Sequence, residues 1–163
     1  MKKFLFLDID GVLASDQEWG VLLEDKSCPF NRGALNNLEH ILDEVSGVDI
    51  IISSSWRKGQ CIDELQELFK VRQFKYWEKI IDKTVVLSFE PINGKFVEFY
   101  MPMPRGCEIE HYIRSHTDRI DQFKYAILDD GSDMMYWQRD NFIHIRDGLL
   151  TEENAKKAIE ILK

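Results

Sequence analysis

Phe4-Leu5-Phe6-Leu7-Asp8-Ile9-Asp10-Gly11-Val12-Leu13 is the stretch whose reading decides the fold. Its apolar half does not alternate with polar residues, which is the pattern of a central parallel strand covered on both faces. Gly11 lets the backbone turn sharply just past the acids. On such a strand Asp8 and Asp10 share one face. Two carboxylates that close repel unless a proton or cation sits between them, and an all-oxygen donor set favours magnesium. One acid can then act as nucleophile and the other as proton donor and acceptor.

Outward from this strand, apolar runs again deliver polar groups. Val48-Asp49-Ile50-Ile51-Ile52 leads into Ser53-Ser54-Ser55-Trp56-Arg57, and Tyr125-Ala126-Ile127-Leu128 leads into Asp129-Asp130. Helical periodicity separates them. Leu35, Leu38, Ile41, Leu42 and Val45 fall on one face of a helix over about 31–45, stopped by Ser46-Gly47, and Ile62, Leu65, Leu68 and Phe69 mark the next. A third helix over Glu108 to His116 turns Ile109, Tyr112 and Ile113 inward. Thr151 caps a closing helix, with Glu152 and Glu153 at its positive end. Val85-Val86-Leu87 predicts a core strand, Asn93-Gly94 a small hairpin within 90–103, and Phe142-Ile143-His144-Ile145 the last strand, while 15–30 reads as irregular. This alternation predicts an α/β, Rossmann-like three-layer sandwich with a central parallel sheet and right-handed crossovers.

The 163 residues, 44% of them hydrophobic, suit one domain over 1–163 with a proper core. No apolar stretch is long enough to span a bilayer, so a cytoplasmic protein without membrane association is expected. Cys28, Cys61 and Cys107 lack the spacing of a disulfide framework or a zinc site, and His40, His111, His116 and His144 lack a ligand pattern. The net charge of -8 excludes binding to long tracts of nucleic acid but allows contact with a terminal phosphate and a nucleotide or two.

The Asp8-to-Leu13 segment resembles the first signature of the haloacid dehalogenase-like (HAD) phosphohydrolases, and the segments at Ser53 and Asp129 resemble the second and fourth, in the family's order. Arg105-Gly106-Cys107-Glu108-Ile109 opens a helix where that family carries its basic third motif, often a lysine, so Lys124 competes with Arg105 for the role. The wording at Ser53 to Arg57, Arg105 to Ile109 and Gly148-Leu149-Leu150-Thr151-Glu152 is similar to the HAD domains of nucleic-acid repair proteins. These are relatives of the phosphatase half of polynucleotide kinase/phosphatases.

The resemblance implies Asp8 as nucleophile and Asp10 as acid and base, with Ser53, or Ser54 if the strand runs longer, donating to phosphate. Arg105 would neutralise the transferring group. Magnesium would be held by Asp8, the main-chain carbonyl of Asp10, and Asp129, with Asp130 as a further ligand or water holder. Arg57 reads either as a phosphate contact or as a surface cation packed on Trp56, and Asp133 either as part of the site's periphery or as a helix cap. Trp19, Trp56 and Trp137 are candidates for base stacking, set against the ordinary fate of aromatics in a core. Neither insertion point used by the family holds a separate cap domain, which implies an open site covered by its substrate. The expected function is a magnesium-dependent phosphatase working through an aspartyl-phosphate on a terminal phosphate of a nucleic acid or nucleotide. The alternatives are a phosphatase of sugar phosphates or nucleoside monophosphates, and a regulatory module that binds phosphate without turnover.

Overall fold

The computed structural model describes residues 1–15, 30–87, 103–116, 123–146 and 148–163. Five strands, β1 (Lys2–Leu7), β2 (Val48–Ile52), β3 (Ile80–Lys83), β4 (Phe123–Asp129) and β5 (Phe142–His144), form one sheet in the order β3-β2-β1-β4-β5. Every neighbouring pair is parallel. The chain winds from β1 outward to β3 and then continues on β1's other side with β4, so the winding reverses between β1 and β4. In such sheets the crevice beyond the carboxyl ends of the strands at that reversal is where ligands bind.

The first strand is covered on both faces, as its unbroken apolar run predicts. Leu5 and Leu7, with Ile50, Ile52, Ala126 and Leu128, face a core closed by α1 (Arg32–Glu44), α2 (Ile62–Val71) and α4 (Glu152–Leu162). Phe4, Phe6, Ile51, Phe123 and Ile127 face the other way onto Ile109, Tyr112 and Ile113 of α3 (Arg105–His116). The Asn31 side chain caps α1 by accepting from Ala34 N at 3.0 Å, and Thr151 caps α4 by accepting from Asn154 N. The expected helices are therefore present, with α3 beginning at Arg105 rather than Glu108.

The third strand is not where its residues suggested. Val85 and Val86 are 46% and 39% exposed and belong to no strand, while Ile80–Lys83 pairs with β2. Pairing decided this. Ile80 stands opposite Ile50 and Lys83 opposite Ile52, so the rungs of β2 are already used before Val85 is reached. The intrinsic β-preference of two valines gives way to the register. The predicted hairpin at Asn93-Gly94, the irregular stretch through 16–29, Trp19 and Cys28 lie outside the described residues.

Candidate active site

Leu7 stands opposite both Ile52 and Leu128, so the next residue on each of the three central strands lies at the carboxyl edge on a shared level. Those residues are Asp8, Ser53 and Asp129. Backbone bonds fix the level: Asp8 N donates to Leu128 O at 3.0 Å and Ser53 N to Leu7 O at 2.9 Å. Asp8 Oδ1 accepts from Ile9 N at 2.9 Å, and Asp129 Oδ1 from Gly131 N at 2.8 Å. Gly11 then turns the chain with φ +66°, and a Cβ there would lie 2.2 Å from Asp130 Oδ2. The glycine of the opening stretch is thus required twice, for its backbone angle and for the approach of Asp130.

Asp8, Asp129 and Asp130 each offer an oxygen, and these oxygens lie within 4.8 Å of one another. The donor set is all carboxylate, which fits a hard divalent cation such as magnesium. Burial pushes the Asp129 carboxyl up to about 7, and the neighbouring Asp8 charge adds to the rise while Arg105 opposes it. A buried acid held that high carries charge comfortably only beside a cation.

The Arg105 guanidinium supplies one cation. Its Nη1 lies 3.4 Å from Asp8 Oδ1 and 3.3 Å from Asp129 Oδ2. Burial alone would depress its pKa, but Asp8 and then Asp129 outweigh it and raise it further. Arg105 is the first residue of α3, and that end is held by Asp133, whose Oδ2 accepts from Arg105 N at 2.7 Å and whose carbonyl accepts from Gly106 N at 3.2 Å. Asp133 therefore caps the helix. Gly106 allows the closeness, since a Cβ on it would meet Met135 N at 2.5 Å. Lys124 pairs with Lys3 at the other end of the sheet, five residues before Asp129 and so about 16 Å from the carboxylates.

Asp10 differs from the other acids. Its two carboxylate oxygens both accept from Trp56 Nε1, at 2.9 Å each, and it is not among the three acids whose oxygens cluster. Trp56 is itself packed, its ring near Phe30 at 6.0 Å and under the Arg72 guanidinium at 5.7 Å. It is 9% exposed, which corrects its candidacy for stacking a base. Trp137 is 60% exposed and donates to Glu110 Oε2.

β2 ends at Ile52, so Ser53 is the residue that leaves the strand. Its hydroxyl is buried and meets no protein partner. The Ser54 hydroxyl accepts instead from Trp56 N at 3.4 Å and opens the 3-10 turn over Ser55–Arg57. Arg57 is corrected more strongly. It is 3% exposed, not a surface cation, and its five N–H donors go to the carbonyls of Thr84, Ser53, Ser54 and Val85 and to Glu108 Oε2, leaving none for a phosphate in this arrangement. Burial lowers its pKa, against the pull of Glu108.

Two neighbours of these residues carry no assignment from the sequence pattern. Glu108 is 5% exposed and pairs with Arg57; its signal is an acid at i−4 from the inward Tyr112, on the apolar face of α3. His144 places Nε2 2.9 Å from the Asp130 carbonyl, which only the register of β5 with β4 reveals. No helix among the described residues is long and apolar enough to cross a membrane.

Among known families, the model of the HAD domain in Swiss Army Knife RNA repair proteins matches residues 4–155. No curated protein and no solved structure matches the chain.

Proposed function

The chain belongs to the HAD domains of Swiss Army Knife RNA repair proteins, a HAD-type phosphatase fold, and on that premise we propose that it is a magnesium-dependent phosphomonoesterase for the terminal phosphate of a nucleic acid or nucleotide. The observation that carries the reading is the single level shared by Asp8, Ser53 and Asp129, with Arg105 Nη1 against both acids. A nucleophile, a hydroxyl donor, a fixed cation and a metal carboxylate converge where a phosphate would sit. Catalysis of phosphoryl transfer rests mostly on such positioning and charge.

In the proposed reaction Asp8 attacks phosphorus in line, forming an aspartyl-phosphate as the ester oxygen leaves with a proton from Asp10. Asp10 then takes a proton from the water that attacks the phosphorus and frees Asp8. The Trp56 N–H holds the Asp10 carboxylate in one orientation through both steps. Ser53, whose buried hydroxyl has no protein partner, donates to a non-bridging phosphate oxygen, and Arg105 offsets the charge of the transferring group. The carboxylates of Asp8, Asp129 and Asp130, with the Asp10 carbonyl, would hold magnesium, which makes attack by one anion on another tolerable. The reading takes 1–163 as one domain that contacts only a terminal phosphate and a nucleotide or two, consistent with its net charge of -8.

The test is phosphate release from a 3'-phosphorylated oligonucleotide, a 5'-phosphorylated one, free nucleotides and sugar phosphates, each with magnesium or with chelator. Magnesium-dependent release from one oligonucleotide end supports the proposal and identifies the terminus. Release from free nucleotides or sugar phosphates alone keeps the chemistry and replaces the substrate. Binding of phosphate without turnover of any of them turns the reading to a regulatory module.

A further inference from the structure

Arg57 and Glu108 are charged, 3% and 5% exposed, and take no part in the proposed chemistry. A buried ion pair is a poor device for stability alone, since apolar groups of similar volume often serve a fold as well or better. What this pair joins is specific. Arg57 Nη1 reaches the carbonyls of Ser53 and Ser54 at 2.8 and 2.7 Å, its Nε reaches Thr84 O at 2.9 Å, and its Nη2 reaches Val85 O at 3.2 Å and Glu108 Oε2. Glu108 Oε1 accepts from Leu87 N at 3.0 Å, and the Leu87 carbonyl accepts from Met103 N at 3.4 Å. Glu108 follows Arg105 by three residues, about one turn of α3. One guanidinium therefore ties the exit of β2, which carries Ser53, and the exit of β3 to the first turn of the helix that carries Arg105.

We infer that the Arg57–Glu108 pair is a positioning element: it sets the separation between the Ser53 hydroxyl and the Arg105 guanidinium that a transferring phosphoryl group requires, without touching the substrate. The inference rests on the proposed phosphatase reading. Ser53 and Arg105 sit on separate elements, and among the described residues the Arg57–Glu108 pair links the two directly. A displacement of about one ångström in such a pair costs about 100-fold in rate, so a brace at this point acts on turnover directly.

The test compares the wild type with Glu108→Gln, which keeps the shape and removes the charge, and Glu108→Asp, which keeps the charge and draws the carboxylate back. With p-nitrophenyl phosphate and magnesium, the readouts are kcat, the inhibition constant of orthovanadate as a transition-state mimic, the magnesium concentration for half activation, and the folded fraction by circular dichroism. The expected result in at least one folded variant is a kcat lowered about tenfold or more, a vanadate constant raised by a similar factor, and half activation by magnesium within about twofold of the wild type. The vanadate constant does not depend on how much enzyme is folded. A constant within about twofold of the wild type in the folded variants overturns the inference, as do variants that only unfold. Where the wild type is inactive on p-nitrophenyl phosphate, kcat is read on whichever phosphorylated oligonucleotide, nucleotide or sugar phosphate it does hydrolyse; a wild type that turns over none of them refutes the phosphatase reading, and the inference falls with it for that separate reason.

Discussion

At the scale of single residues, the carboxylates sit in different surroundings, and the proposed reaction gives each its task from what its side chain faces. Asp8 and Asp129 face each other and Arg105, whereas Asp10 faces an indole N–H. Asp10→Asn is therefore expected to lower kcat about 100- to 10,000-fold, the usual worth of a positioned acid and base, while leaving half activation by magnesium within about twofold. Trp56→Phe keeps most of the packing and removes the donor; a smaller loss of about tenfold, again in kcat, is expected if orientation is its contribution. Steady-state kinetics on p-nitrophenyl phosphate separates the two. At Gly11 the prediction concerns stability as well as activity. Gly11→Ala combines a φ of +66° with a Cβ 2.2 Å from Asp130 Oδ2, so a loss of about 2 kcal/mol or more in urea unfolding is expected, together with weakened magnesium affinity.

At the scale of elements, the caps distinguish parts that hold the fold from parts that hold the site. Thr151→Ala removes a cap from α4, far along the chain from the carboxylates, and should cost about 1 kcal/mol in chemical unfolding with kcat unchanged. Asp133→Ala removes a cap of similar worth from α3, but that end carries Arg105, so kcat should fall with the stability. The elements were largely legible in the sequence because periodicity and caps are local: the buried faces of α1, α2 and α3 and the Thr151 cap follow from residue spacing alone. β3 was not legible, since Ile80–Lys83 carries two charged residues and becomes a strand only through its register with β2. For the same reason Arg57 could not be distinguished from a surface cation. Its acceptors are carbonyls at the exits of β2 and β3 and an acid on α3, brought together only by the fold.

At the scale of the whole molecule, the sheet reversal between β1 and β4 concentrates negative charge at one edge, and folding raises the Asp129 pKa from 3.8 to about 7. A carboxyl whose folded pKa exceeds its unfolded one favours the folded state below the unfolded pKa, and that contribution is lost as pH rises through the folded pKa. For this group the loss runs from about pH 4 to pH 7, with a ceiling on the order of 4 kcal/mol. Without metal, stability attributable to Asp129 should therefore fall between about pH 4 and pH 7, and Asp129→Asn should flatten that slope in thermal melts. Magnesium and the proton compete for the same oxygens, so added magnesium should raise the melting temperature more at pH 8 than at pH 5. An equal shift at both pH values would detach the metal from this carboxylate.

The central claim is that Asp8 is phosphorylated during turnover. It is tested most directly by acid-quenching the enzyme during reaction with a substrate radiolabelled at its phosphate and mapping any covalent label by peptide sequencing. The predicted result is a magnesium-dependent label on the peptide containing Asp8, absent from Asp8→Asn, which also releases no phosphate. Phosphate release that survives in Asp8→Asn, or a label carried by another residue, would contradict the account.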